Sequence, residues 1–202
     1  MKQLLVGNYH VILASNSPRR KELLGGLGID FEVRTMKGID ERWPKELRGE
    51  DIPKFISHKK AEAYLPTLAA DELLITADTI VMAPLQLPPK GGEAVLGKPA
   101  DAADAKRMLH MLSGRTHEVI TGVTIATREK QKTFAVTSLV TFAELTDEEI
   151  DYYVEQYRPF DKAGAYGIQE WIGYIGVTRL EGSYFNVMGL PVQRLYTELR
   201  RF

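Results

Sequence analysis

A chain of 202 residues and 22.7 kDa makes one ordinary domain, or two small lobes packed around a shared cleft, and is long enough to bury a sizeable core. At 44% hydrophobic and 26% charged residues it falls within the composition of soluble globular proteins, which excludes disordered, collagenous and coiled-coil readings. Lys+Arg 26 against Asp+Glu 27 gives a net charge of −1, so no bulk field draws the chain to a nucleic-acid polymer or a membrane.

The absence of Cys removes disulfides, thiolate metal sites and a Cys nucleophile, and fits a reducing compartment; the cytoplasm is the expected location. Residues 1–8 carry one Lys and too short an apolar run for a signal peptide, and no segment approaches the roughly 20 apolar residues of a membrane span.

In chain order, the apolar run His10-Val-Ile-Leu-Ala14 reads as a strand, followed by Ser15-Asn-Ser-Pro-Arg-Arg20 as a turn and helix start. Ser17 is the expected N-cap, Pro18 suits the first helical position, and Leu23, Leu24 and Leu27 form the stripe before Gly28. Residues 31–34 read as a short strand and 36–50 as a loop. Over 51–65 a helix is expected with Ile52, Phe55, Ile56 and Ala63 on its buried face and Lys59 and Lys60 along the same rail. Residues 73–83 form an almost continuous apolar run, the pattern of a central covered strand. Residues 84–96, rich in Pro and Gly, read as a turn-rich excursion. Asp101 caps a helix over 101–112. Residues 119–127 and 133–145 read as an antiparallel pair, and Thr146-Asp-Glu-Glu149 is a capping box. A small-residue loop at 161–167, a strand around 172–179, a turn at 181–183 and a helix after Pro191 complete the chain. Crossover and hairpin connections together predict an α/β fold with a mixed twisted sheet flanked by helices.

Two features violate local preferences. Arg19 and Arg20 fill the first turn of a helix whose dipole favours acidic residues there, so an anion bridging both guanidinium groups is one solution; a solvated pair tied to a carboxylate is the other. Asp78 interrupts Leu-Leu-Ile-Thr-Ala-Asp-Thr-Ile-Val-Met; if the strand is central, a buried carboxylate needs a Lys, an Arg or a bound cation, and a strand-end Asp that caps a loop is the other reading. Lys60 and Lys98 are the candidate cations, and Glu32 a weaker candidate for a second metal carboxylate. His10, His58, His110 and His117 show no zinc-ligand spacing, and Walker A and G-x-G-x-x-G sequences are absent. Tyr152, Tyr153, Tyr157 and Trp171 read as core or interface residues.

Six separated stretches, Ser15-Asn-Ser-Pro-Arg-Arg-Lys-Glu-Leu-Leu24, Ala77-Asp-Thr-Ile-Val81, Gly97-Lys-Pro99, Leu112-Ser-Gly-Arg-Thr-His117, Asp161-Lys-Ala-Gly-Ala-Tyr-Gly-Ile-Gln169 and Gly182-Ser-Tyr-Phe-Asn-Val-Met-Gly-Leu-Pro191, resemble the Maf family in order and content. The resemblance implies a nucleoside triphosphate pyrophosphatase on a fold similar to the inosine triphosphatase superfamily, with a central cleft and a divalent cation such as Mg²⁺, Mn²⁺ or Co²⁺. Ser-Pro-Arg-Arg with Ala-Asp-Thr and Gly-Ile-Gln looks like the branch acting on dTTP and UTP, with CTP and modified pyrimidine nucleotides not excluded. It further implies Asp78 as proton acceptor, assisted by Lys60 and Lys98, and Arg19, Thr79 and Gln169 as the residues that set base choice. Arg19, Arg20, Lys60 and Lys98, with Ser15 and Ser17 of the first motif, become phosphate ligands, and Asp78 with Glu32 the metal ligands. Family members are typically cytoplasmic and often dimeric, so a homodimer is carried as an expectation. Two departures stand out: the long 84–96 segment, and Glu170-Trp171 where small residues commonly follow the Gln.

Two other functions compete. Nucleotidyl transfer would suit a strand-end Asp beside an Arg-bearing loop, but the Gly-rich signature after the first strand is missing. A regulatory inhibitor of septum formation, acting through protein contacts, is the reading from a different class.

Overall fold

The structure, a computed structural model, describes residues 6–84 and 93–202. The first apolar run forms β1 (His10–Leu13), and Pro18 opens α1 (Pro18–Gly25). Ser17 holds the N-cap position without capping through its hydroxyl; its own N–H donates to Ser15 Oγ at 3.2 Å. Leu23 and Leu24 are buried, and the helix stops at Gly25, three residues before the expected Gly28. After β2 (Phe31–Val33) an irregular stretch leads to α2 (Asp51–Tyr64). The buried side of α2 is Ile52, Ile56, Ser57, Ala61 and Tyr64; Ala63 is exposed and Phe55 half-buried, which corrects the expected face by part of a turn.

The long apolar run is β3 (Glu72–Pro84), buried along nearly its whole length. The excursion expected over 84–96 is in part a strand, β4 (Glu93–Leu96), pairing antiparallel with the end of β3; residues 85–92 lie outside the described residues. Next come α3 (Ala102–Leu112), capped by Asp101, and the strands β5 (Thr116–Ala126) and β6 (Gln131–Phe142). They are neighbours in the sheet, and a four-residue connection closed by Thr127 N–H to Lys130 O at 2.8 Å makes them an antiparallel hairpin. Helix α4 (Asp147–Tyr157) opens on the predicted Thr146/Glu149 capping box. Beyond a short 3₁₀ turn (Ala163–Ala165), the strand expected over 172–179 is instead α5 (Trp171–Gly176) followed by β7 (Val177–Glu181). Burial at Ile172, Gly173 and Gly176 has helical spacing, and Gly173 permits close approach: a Cβ there would lie 1.9 Å from the Ile168 carbonyl oxygen. The unforeseen α6 (Tyr184–Met188) is pinned by buried Asn186, whose Nδ2 donates to Val119 O and Ser138 Oγ, each at 3.0 Å. The amphipathic α7 (Val192–Leu199) starts after Pro191 as expected.

The seven-stranded mixed sheet runs β2-β1-β3-β5-β6-β7, with β4 on β3, and is flanked by helices. Strand β1 is parallel to both β2 and β3, while β6 and β7 are antiparallel. Two compact units are distinguished: Met1–Asp78, Thr121–Val136 and Gly189–Phe202 form the first, and Thr79–Ile120 with Thr137–Met188 the second. In the first, Ile12, Ala61, Tyr64, Leu68, Leu74 and Ala126 form one fully buried cluster. In the second, the buried His117 ring meets Phe142 and Tyr166 edge-on, with Nε2 2.8 Å from the Tyr166 hydroxyl. Among the described residues no helix is long and apolar enough to cross a membrane.

Helix α2 sits unusually close to β5. A Cβ on Gly122 would lie 2.3 Å from the Pro53 carbonyl, so Gly122→Ala should cost about 1–3 kcal/mol of stability by overpacking, read as a lower denaturant midpoint. Burial holds the His117 imidazole at about 3 instead of the ordinary 6.5. The unfolded chain therefore takes up this proton first, and stability falls as pH drops from about 6.5 towards 3, by up to about 1.4 kcal/mol per pH unit. His117→Gln, which cannot titrate, should shrink the difference between denaturant midpoints at pH 7 and pH 5. An unchanged difference would assign the acid sensitivity elsewhere.

Candidate active site

In the first unit the site is built on the middle of β3. Strand β1 pairs with β3 only as far as Ile75, and β4 begins only at Val81, so neither reaches residues 76–80. Thr76 and Asp78 are buried there and, two residues apart, point to the same face. That face carries α2. Thr76 Oγ1 donates to Ser57 O at 2.7 Å, and the Ser57 hydroxyl lies 3.2 Å from Thr124 Oγ1 of β5, so α2 is fastened to two strands at one turn. One turn further on, Lys60 Nζ donates to Asp78 Oδ1 at 2.8 Å, as a lysine on a buried stripe requires.

The same ammonium lies 3.1 Å from Glu41 Oε1, so Lys60 bridges two carboxylates. Glu41, on the loop before α2, is the member that sequence reading missed. Its one signal was position: an acidic side chain in the segment that must cross the end of α2. Lys59, expected on the same rail, turns away to Asp40 at 3.3 Å.

Arg20 is anchored to two backbone carbonyls. Its Nε donates to Gly189 O at 2.8 Å and its Nη1 to Ala77 O at 2.9 Å, with Ser15 Oγ at 3.5 Å. The Ala77 carbonyl is one that β1 and β4 leave to other donors, and the guanidinium supplies one. Burial, with Arg19 adding repulsion, pulls Arg20 below its ordinary pKa, while Asp78 and Glu41 act in the opposite direction. Arg19 is half-buried in the same first turn.

Glu32, the weaker metal candidate, is not at this site. The register places it across from Ile12, and Ile12 across from Leu74, so Asp78 is four residues further along, roughly 13 Å at strand rise. Its carboxylate is held by Arg34 at 3.0 Å and His10 at 3.1 Å, contacts that lower its pKa. Among the described residues no group of three or more His, Asp or Glu could hold a metal alone. Asp78 and Glu41 are hard oxygen donors, the chemistry that suits an Mg²⁺-type ion, and here both are bridged by the Lys60 ammonium.

The second unit holds the remaining predicted residues. Thr79, next after Asp78 on β3, is half-buried, and Lys98 is exposed on the loop before α3. The preceding Gly97 carbonyl accepts from Gly164 N–H at 3.0 Å, which ties that loop to the 161–170 segment. This segment is strained: Ala165, fully buried, sits at φ 59, a conformation that costs about 1 kcal/mol or more. A Cβ on Gly164 would lie 2.8 Å from Val81 Cγ2. Gln169 follows, with Oε1 buried and without a hydrogen-bond partner among the described residues. A buried acceptor left unmet is costly unless a ligand donor reaches it.

A carboxylate held by lysine on a strand of a mixed α/β sheet, beside an arginine at a helix start, is the setting expected of an enzyme of phosphate-bearing ligands. The profile of the Maf-like protein family matches residues 10–202, and the chain belongs to this family. It is 59% identical to the dTTP/UTP pyrophosphatase of Phocaeicola vulgatus over 193 residues, 96% of both chains. It is 57% identical to that of Parabacteroides distasonis over 96% of both, and 54% identical to that of Bacteroides thetaiotaomicron over 98% of this chain and all of the relative.

Losing Lys60 should leave Asp78 and Glu41 without the ammonium that bridges them. Lys60→Met is expected to cost about 2–4 kcal/mol in urea unfolding, and adding Asp78→Asn should restore at least half of it. Additive losses would show that the pair is uncoupled.

Proposed function

We infer that the chain is a nucleoside triphosphate pyrophosphatase converting dTTP and UTP to the monophosphate and pyrophosphate, a task of nucleotide-pool housekeeping. The observation that carries the reaction is the Asp78–Lys60–Glu41 cluster beside Arg20; the nucleotide comes from the relatives' name.

In this reading a water attacks the α-phosphorus, the bond from that phosphorus to the bridging oxygen of the β-phosphate breaks, and pyrophosphate leaves. Asp78, an acceptor-only carboxylate, takes the water proton. Lys60 holds Asp78 in place, and Arg20, Lys60 and Lys98 face the phosphate oxygens as charge moves onto the leaving group. Arg19, with Ser15 and Ser17, completes the phosphate side. A divalent cation held by Asp78 and Glu41 would supply charge neutralisation and Lewis acidity. Gln169, whose Oε1 is buried without a partner among the described residues, is the acceptor this reading assigns to a donor on the pyrimidine edge, and Arg19 and Thr79 are the other residues assigned to base choice. We place the enzyme in the cytoplasm, where its substrates are, with neither a nucleic-acid polymer nor a membrane as partner; a homodimer is the assembly we expect.

A nucleotide panel with Mg²⁺, assayed for pyrophosphate and separately for free phosphate, tests this reading. Asp78→Asn should lower kcat at least about 100-fold with little change in KM. Gln169→Glu should lower kcat/KM for dTTP and UTP. No turnover of any nucleotide by the native chain would return the weight to regulation through protein contacts.

A further inference from the structure

The turn carrying Gln169 is closed by a ring of hydrogen bonds that does not include Gln169 itself. Tyr153, fully buried on α4, accepts from Gly167 N–H at 3.0 Å and donates to Glu170 Oε2, so one hydroxyl spans both ends of the turn. Glu170 N–H donates to Gly167 O at 3.0 Å. The other Glu170 oxygen lies 3.0 Å from Lys162 Nζ, a buried ammonium that also holds Asp161 at 2.8 Å. The space a Cβ would need at Gly167 is filled by Glu170 Cδ at 2.9 Å and the Lys162 stem at 3.0 Å. Burial first, and the Glu170 carboxylate second, push the Tyr153 phenol well above its ordinary value, so it stays a donor throughout the working pH range.

We propose that Glu170 is a positioning residue for base recognition: with Tyr153 and Lys162 it clamps the 167–170 turn so that Gln169 presents its amide in one fixed order of acceptor and donor. The consequence is chemical. A uracil-type base offers an N3–H donor beside a carbonyl acceptor, whereas cytosine offers an amino donor beside the N3 acceptor, in the reverse order along the same edge. On a turn free to shift, the amide can meet either edge; on a turn held at Gly167 and Glu170, with Gln169 Oε1 buried, it is brought to the base from one position only. The clamp rests on the reading of the chain as a pyrimidine nucleotide enzyme, which it deepens from base contact to base choice.

Tyr153→Phe and Glu170→Gln test it, assayed for kcat and KM with dTTP and dCTP, for equilibrium binding of dTMP and dCMP, and for thermal midpoint. In both variants the dTTP:dCTP ratio of kcat/KM should fall about tenfold, the loss of one well-placed hydrogen bond, mainly through KM, with the dTMP:dCMP affinity ratio falling in parallel. Native ratios in both variants overturn the proposal, as does an equal loss of kcat on both nucleotides, which marks a merely structural role. Should Glu170→Gln fail to fold, Tyr153→Phe, which loses one oxygen and keeps its ring packing, decides alone. A native chain that turns over neither nucleotide but prefers dTMP, and loses that preference in the variants, sinks the activity and keeps the clamp. A native chain that binds dTMP and dCMP equally sinks the clamp.

Discussion

An ammonium and a carboxylate 2.8 Å apart, each side chain about one-seventh exposed, are the constraint around which the first unit is arranged. Charges taken this far out of water are tolerable only as a pair, so α2 and β3 must meet at one register. Thr76, Ser57 and Thr124 set that register through neutral hydrogen bonds one turn away, and Gly122 lets the helix backbone come close enough for them to form. The apolar cluster of Ile12, Ala61, Tyr64 and Leu74 supplies the burial that makes the arrangement stable, and the same burial makes an unpaired Asp78 unaffordable.

The interruption of β3's pairing serves the same end. Residues 76–80 are left by β1 and β4, and a strand carbonyl so exposed needs a donor. Arg20 reaches Ala77 O and Gly189 O together, which draws the start of α1 towards the strand that bears Asp78. The arginine that the helix dipole disfavours is thus retained for its fork of donors, a geometry lysine could not reproduce.

In the second unit the 161–170 segment is tightly constrained. Left-handed backbone at Gly164 and Ala165, the Gly164 contact with Val81 and the hydrogen-bonded ring around Glu170 hold the 161–170 segment from several directions. Ala165 at φ 59 would relax if the surroundings were loose; they are not. Glu170 is the centre of that ring.

Much of this was legible in the sequence wherever a local rule was either strictly obeyed or plainly broken. The capping box at Thr146, the cap at Asp101 and the apolar run of β3 follow local rules, and Asp78 within that run, if buried, called for a cation such as Lys60. The strand expected over 172–179 failed because Ile-Gly-Tyr-Ile-Gly suits either period, and the close approach to the Ile168 carbonyl that favours the helix is a tertiary fact. Glu32 and Glu41 show the same limit: both are acidic residues of ordinary appearance, and strand register alone carries one away from Asp78 while the path of a loop brings the other to Lys60. The sequence by itself determined the fold class, the family and the charges that had to be matched, because burial patterns and unpaired ions are local properties. Which carboxylate faces Lys60, which carbonyls hold Arg20 and which side chain closes the 167–170 turn were decided only by the tertiary structure, because those partners are chosen by distances between segments apart in the chain.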